Sequence, residues 1–255
     1  MSPVRDLDLV GAKRDISHGM NPALSSMRKN ILRKCGVVAI VPAAGCGKRL
    51  GSKVRKPFVT LGGRPLVVHA LKTLAACASI DAIIVAAEAS QVRSFEKLVG
   101  KYRIGKVAAI VAGGRTRYDS VKNCLARIGP SFDIVVIHDG ARPLVEKKTI
   151  AGAIRLARAH GGCIVAVPES DTIKLVDKAM YIQKTLDRSR IFRAQTPQVF
   201  RTGLIKKAYA LKGDTATDDA SLVEAAGGRV KILAGPYRNI KVTTKEDLLL
   251  AEVLL

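Results

Sequence analysis

The sequence predicts an α/β protein with a doubly wound, mostly parallel sheet. Three observations carry that prediction. Short apolar runs alternate with stretches of helical period, the order in which strand–helix–strand units build parallel sheets. The runs lack polar alternation, as in I-V-V-I at 134–137, which is the pattern of strands covered on both faces. The first run, V-V-A-I-V at 37–41, also breaks into a small-residue turn, A-A-G-C-G at 43–47. Small residues there let the backbone approach a ligand and turn N–H groups toward it.

Residues 1–34 show no sustained period and are rich in Ser, Asn, Pro and charge. They read as a disordered basic extension, with Met20 and Met27 as alternative translation starts. Residues 35–255 read as one domain. Its predicted strands are 37–42, 82–87, 107–111, 133–138 and 163–167, and its helices lie near 65–77, 90–99, 117–128 and 146–160. Val121, Cys124, Leu125 and Ile128 fall on one helical face, as do Ile150, Ile154 and Ala157, and Gly161-Gly162 stops the second helix. After Val167 the order breaks. Residues 170–198 alternate weakly and read as a two-stranded protruding arm, whose exposed edges a second subunit would cover. Helices near 202–211 and 218–226, strands near 229–234 and 239–242, and a last helix from about 244 complete the chain.

Composition narrows the function. The chain is 48% hydrophobic and 25% charged, with a formal charge of +22. Such a charge favours nucleotides, phosphorylated metabolites or nucleic acid as partners. Residues 1–35 hold seven Lys/Arg against three Asp, so +18 belongs to the remainder. Aromatics are 4% and Trp is absent, which argues against a surface that stacks single-stranded bases. The five cysteines are scattered and read as small buried residues in a reducing compartment. With no membrane-length apolar run and no signal-peptide core, the expected location is cytoplasmic.

In an open parallel sheet, ligands sit beyond the carboxyl ends of the strands. Those ends carry Pro42 to Gly47, Gly113-Gly114, His138 to Arg142 and Pro168 to Lys174. The first is followed by Lys48, Arg49, Lys53, Arg55 and Lys56, a cationic wall for whatever anion the turn holds. It is neither G-x-x-x-x-G-K-[ST] nor G-x-G-x-x-G. Asp139 follows a buried strand and suits Mg²⁺, which takes hard oxygen ligands; a helix-capping Asp is the plain alternative. Arg142 can fork onto a phosphate. Gly113 and Gly114, with Arg117 and Ser120, can close on a nucleotide, although Thr116 and Asp119 also fit a capping box. His138 reads as structural. Lys241 and Thr243 can reach a second phosphate, and Thr243-x-x-Glu246 is itself a capping box. No nucleophile–base motif stands out, which favours a reaction run by positioning and charge stabilisation, as in phosphoryl or nucleotidyl transfer.

The chain resembles the 2-C-methyl-D-erythritol 4-phosphate cytidylyltransferase family of the non-mevalonate isoprenoid pathway, from about Val37 to Leu255. The resemblance rests on seven blocks in order: P-A-A-G-C-G-K-R-L-G (42–51), G-G-R-T-R-Y-D-S-V (113–121), H-D-G-A-R-P (138–143), D-T-I-K (171–174), R-A-Q-T-P-Q-V-F (193–200), T-D-D-A-S (217–221) and N-I-K-V-T (239–243). It implies a Rossmann-like nucleotidyltransferase that moves CMP from CTP to the sugar-alcohol phosphate and releases pyrophosphate, with Mg²⁺. By similarity, the Ala43, Ala44, Gly45 and Gly47 backbone holds the triphosphate, and Arg49 and Lys56 stabilise the pentavalent α-phosphate. Lys241 joins them as a catalytic cation on the sugar-phosphate side. Gly113, Gly114 and Ser120 contact the cytidine portion, and Asp139 lies by the metal. Arg142, Thr172, Arg188, Thr217 and Thr243 face the acceptor. The resemblance also implies a homodimer whose 170–198 arm reaches into the neighbouring site.

The chain departs from the family pattern at Arg55-Lys56-Pro57-Phe58, where Pro-Lys-Gln is usual; the proline biases Lys56 toward an extended backbone. Ribitol-5-phosphate cytidylyltransferases share the CTP half and are the nearest alternative. A non-catalytic nucleic-acid-binding protein is the alternative from another class; it would show tight, strongly salt-dependent binding.

Overall fold

The computed structural model describes residues 35–45, 47, 55–211 and 216–255. The predicted extension 1–34 and Arg49 lie outside the described residues. A seven-stranded sheet forms the centre. In chain order its elements begin with β1 (Gly36–Pro42), followed by a small hairpin of β2 (Thr60–Leu61) and β3 (Arg64–Pro65) and then α1 (Leu66–Ala76). Next come β4 (Ala82–Ala87), α2 (Val92–Lys101), β5 (Val107–Ala112), α3 (Arg117–Leu125), β6 (Phe132–Ile137), α4 (Lys147–His160) and β7 (Gly162–Pro168). A second hairpin, β8 (Lys174–Val176) and β9 (Ile182–Thr185), precedes β10 (Phe192–Arg201), α5 (Thr202–Ala210), α6 (Asp219–Ala225), β11 (Lys231–Ala234) and α7 (Lys245–Leu254).

The sheet order is β11-β7-β10-β6-β1-β4-β5. β1 pairs in parallel with β4 and β6, β4 with β5, and β7 with β11. The alternation of side chains across β1 explains the two layers. Val37, Ala39 and Val41 face one core with Leu71 and Leu74 of α1, Phe95 and Leu98 of α2, and Ile150 and Ile154 of α4. Val38 and Ile40 face the other, with Val121 and Leu125 of α3, Ile205 of α5 and Val223 of α6. Apolar residues at successive positions of β1 thus serve both layers, which is why its sequence does not alternate. Each fully buried Ile or Leu contributes about 1.5–3 kcal/mol. A smaller cluster, with Leu61, Leu66, Val242 and Ala251, seats α7.

Three expectations change. Residues 192–198 belong to the central sheet, because β10 runs antiparallel between β6 and β7. Its polar, proline-containing sequence hides it, since proline rarely sits in a central strand; the pairing register shifts between Ala194 and Gln198, where Pro197 lies. The separate two-stranded piece is β8–β9, exposed along its length, with Leu175, Met180, Tyr181 and Ile182 outward. Residues 239–242 form no strand. The Asn239 N–H goes back to Pro236, that of Ile240 to Arg238 and that of Val242 to Ala141, so a turn and a single bridge replace a ladder. Lys56 opens a single 3₁₀ turn, Lys56–Phe58, rather than an extended segment, with the Val59 N–H closing on the Lys56 carbonyl.

Cys77, Cys124 and Cys163 are buried and unpaired, whereas Cys35 is exposed because it precedes the first buried residue of β1; Cys46 lies outside the described residues. Among the described residues, no helix is long and apolar enough to cross a membrane.

Candidate functional site

A cavity of about 400 Å³ opens at the carboxyl ends of the parallel strands, within the ~300–1,000 Å³ usual for small-molecule sites. Ala43, Ala44, Gly45 and Gly47 form one wall after β1. The Ala43 N–H bonds the Ala86 carbonyl at 2.8 Å, which ties the start of the turn to β4. Gly47 has φ +71°, and a Cβ there would lie 2.6 Å from the Lys56 Cβ. Only glycine accepts both the left-handed backbone and that contact. Lys56 and Pro57 are carried into the same wall, while Arg55 turns away to pair with Glu88.

The opposite wall is the start of α3. A Cβ on Gly113 would meet the Ala44 Cβ and the Ser120 Oγ, each at 2.8 Å, and one on Gly114 would meet the Asp119 Cβ at 2.2 Å. Gly113 is therefore a packing device that lets the two loops touch, and Gly114 lets its own loop fold tightly onto the first turn of α3. Thr116 and Asp119 form the expected capping box. The Ser120 Oγ accepts from the Gly114 N–H at 3.1 Å and donates to the Thr116 carbonyl at 2.9 Å, so it holds this loop. Gly114, Arg115, Thr116, Arg117 and Ser120 line the cavity, whereas Gly113 lies behind it.

Asp139 lines the floor beyond β6. Its N–H donates to the Thr196 hydroxyl at 3.0 Å, and that hydroxyl also meets His138 Nδ1 at 3.0 Å. His138 Nε2 lies 3.1 Å from the Arg142 carbonyl, which can only accept, so Nε2 carries the ring proton and Thr196 donates to Nδ1. Burial pushes the His138 pKa down to about 4, leaving the ring neutral and structural. The Asp139 carboxylate takes Lys241 Nζ at 2.7 Å on one oxygen and Arg117 Nε at 3.1 Å on the other. Burial alone would raise its pKa, but Arg117 and Lys241 outweigh it and hold the group well below the usual carboxylate range.

The residues expected to face the acceptor are not gathered in the same way. Arg142 is buried, with Nη1 on the Asn239 carbonyl at 2.7 Å, and it does not line the cavity. Burial lowers its pKa, with Asp139 opposing. Thr172, Arg188 and Thr217 are exposed and also lie outside it; Arg188 bonds the Ser170 carbonyl at 2.8 Å. Lys241 and Thr243 do line it. The helix cap is one residue later than expected, a Thr244–Asp247 box, and the Thr243 hydroxyl also donates to Asp247, at 2.5 Å.

Sequence reasoning missed the tie between Arg117 and Asp219. Arg117 Nη1 and Nη2 bond the two Asp219 oxygens at 3.0 and 2.6 Å. Residues 102 positions apart leave no local signal for such a pair. Among the described residues, no group of three or more His, Cys, Asp or Glu could cage a metal. One strand-end carboxylate with room beside it suits Mg²⁺ that draws its other ligands from phosphates and water.

The family model for 2-C-methyl-D-erythritol 4-phosphate cytidylyltransferase matches residues 37–255. The chain is 43% identical over 223 residues to the protein of that name from Alkaliphilus metalliredigens, covering 86% of this chain and 92% of the other. It is 45% identical over 227 residues to that of Syntrophotalea carbinolica, covering 86% and 96%. The crystal structure of 4-diphosphocytidyl-2C-methyl-D-erythritol synthase from Anaerococcus prevotii is similar at TM-score 0.76 and 30% identity, over 87% of this chain and 98% of that one. The chain belongs to the 2-C-methyl-D-erythritol 4-phosphate cytidylyltransferase family of nucleotidyltransferases.

Proposed function

We propose that the chain transfers CMP from CTP to 2-C-methyl-D-erythritol 4-phosphate and releases pyrophosphate. The observation that carries this reading is one cavity at the strand ends that joins the small-residue turn Ala43–Gly47, the Gly114–Ser120 loop, Lys56, Lys241 and Asp139. A phosphate oxygen of the acceptor attacks the α-phosphorus of CTP, and the bond from that phosphorus to the bridging oxygen breaks. Pyrophosphate leaves with the electron pair. The attacking oxygen is already ionised at neutral pH, so no side chain has to act as its base, consistent with the lack of a nucleophile–base pair in the sequence. Positioning and charge neutralisation then carry the catalysis.

In this reading, the backbone N–H groups of Ala44, Gly45 and Gly47 hold the triphosphate, while Ala43, whose own N–H is given to the Ala86 carbonyl, anchors the turn. Gly113, Gly114 and Ser120 shape the cytidine side. Lys56 and Lys241, with Arg49, meet the negative charge that grows at the α-phosphate. Asp139 holds Mg²⁺, which neutralises triphosphate charge when bound. Lys241, now on Asp139, is free to exchange that carboxylate for a phosphate as ligands enter. Arg142, Thr172, Arg188, Thr217 and Thr243 serve the acceptor, and the first of these acts by holding the Asn239 loop from which Lys241 projects. The exposed apolar face of β8–β9 supports a homodimer in which the arm of one subunit brings Thr172 and Arg188 to the other's site. Three buried, unpaired cysteines fit a reducing cytoplasm.

The test is pyrophosphate release from CTP and Mg²⁺ with each acceptor in turn. Turnover with methylerythritol phosphate and none with ribitol 5-phosphate is expected; the reverse would overturn the acceptor assignment, and silence with both would overturn the reaction.

A further inference from the structure

Arg117 joins two carboxylates that come from different parts of the chain. Its Nη atoms grip Asp219 in a fork, and Nε reaches Asp139. Asp219 is fully buried and firmly set. The Tyr209 hydroxyl donates to it at 2.5 Å, and its own N–H donates to Gln198 Oε1 at 3.0 Å. Burial and the Asp219 charge push the Tyr209 phenol far above its ordinary pKa, so it keeps its proton and remains a donor. The Tyr209 ring stacks at 4.8 Å on Tyr118, the neighbour of Arg117.

A planar guanidinium bound through both Nη atoms leaves Nε a single direction. Here that direction is the Asp139 Oδ1. The other Asp139 oxygen is met by an ammonium on a flexible stem, Lys241, whose side chain is 40% exposed. One oxygen is therefore fixed by a buried framework and the other by a cation that can leave. The charges of Asp139, Asp219, Arg117 and Lys241 cancel. Without Asp219, the full guanidinium charge would fall on Asp139.

We infer that Asp219 is a positioning residue for the transfer reaction, acting through Arg117 to orient the Asp139 carboxylate and to share the guanidinium charge. The inference rests on the proposed reaction, and its test separates the two. The full chain is compared with Asp219→Asn and with Tyr209→Phe, which removes one hydrogen bond from Asp219. Three measurements are made: thermal unfolding, calorimetric titration of Mg²⁺ into protein saturated with CTP without acceptor, and steady-state turnover.

Asp219→Asn should unfold cooperatively, bind Mg²⁺ more weakly and lose kcat, each by about 10–100-fold, the usual effect of removing a partner behind a metal ligand. The KM for the acceptor should change less than about twofold, because no acceptor contact is touched. In an Asp139→Asn background, Asp219→Asn should add no further loss. If Asp219→Asn fails to fold, Tyr209→Phe carries the test, with the same pattern at smaller amplitude. A lower melting temperature with unchanged Mg²⁺ binding and kcat would make the pair a structural staple and overturn the inference. If the unsubstituted chain releases no pyrophosphate, the proposed reaction fails, while the Mg²⁺ titration still decides the role of Asp219.

Discussion

Ala43, Gly45, Gly114, Ser120 and Asp139 meet around one cavity, whereas Thr172, Arg188 and Thr217 stand exposed outside it. Ala43, Gly45, Gly114 and Asp139 sit on turns that leave parallel strands, and Ser120 in the first turns of α3, so the sheet itself brings them together. Of the second set, Thr172 and Arg188 flank the β8–β9 hairpin, which pairs with no other strand among the described residues. One chain thus assembles a nucleotide-sized cavity by itself, and Thr172, Arg188 and Thr217, proposed to serve the acceptor, are not brought to it. A second copy of the chain is the proposed addition.

The largest effect is expected where that cavity holds its cations. Lys56→Ala should lower kcat by about 10²–10³-fold while the KM for CTP rises far less, because its charge matters most in the transition state. Arg49→Ala should behave alike. Unchanged kcat in steady-state assays would remove either residue from the reaction.

Next comes the glycine that lets the loop after β5 fold onto the first turn of α3. Gly114→Ala places a Cβ 2.2 Å from the Asp119 Cβ, and such overpacking costs about 1–3 kcal/mol. Denaturant unfolding should show that loss, with the KM for CTP raised and that for the acceptor nearly constant. Equal changes in both would erase the distinction between the two regions.

On the acceptor side, Arg188→Ala should raise the acceptor KM about tenfold, as loss of a charged hydrogen bond does, with stability within about 0.5 kcal/mol. Assayed with acceptor well below its KM, mixing Lys56→Ala and Arg188→Ala chains should give roughly a quarter of the unsubstituted activity if sites are shared across a two-fold dimer. No recovery in the mixture would place Arg188 at its own subunit's site.

The smallest effect marks where the two regions meet. Thr243 lines the cavity, yet its hydroxyl serves Asp247. Asp247→Asn should cost about 1 kcal/mol of stability, the usual value of a helix cap, with the acceptor KM unchanged. Burial works the other way, but hydrogen bonds from Thr243 and Thr244 hold the Asp247 pKa below the ordinary aspartate value. The stabilisation is therefore complete above the ordinary aspartate pKa of about 3.9 and is lost as pH falls through the lower folded value. Melts of the two proteins should converge in acid.

Much of this architecture is visible in residue patterns. The uninterrupted V-V-A-I-V of β1 and the Val121, Cys124 and Leu125 face of α3 announce their elements through period alone, while Ile128, expected on that face, is buried just beyond the helix end. The Thr116–Asp119 cap is equally local. β10 was hidden because its polar residues have uses that a pattern does not reveal. Gln195 bonds Asn239, Thr196 bonds His138 and Asp139, and Gln198 bonds the start of α6. A segment that looks like an excursion is thus a central strand, made polar by the groups it must satisfy.

The chain's own order of residues determined that strands would be buried on both faces and that small turns and charge would collect at their carboxyl ends. Period and turn chemistry act over a few residues, so they can be read without a fold. Folding in three dimensions decided that Arg117 would bridge Asp139 and Asp219, that Arg142 would turn inward to Asn239, and that Arg188 would stay outside. Each of those outcomes depends on which distant groups arrive close enough to neutralise a charge or accept a hydrogen bond.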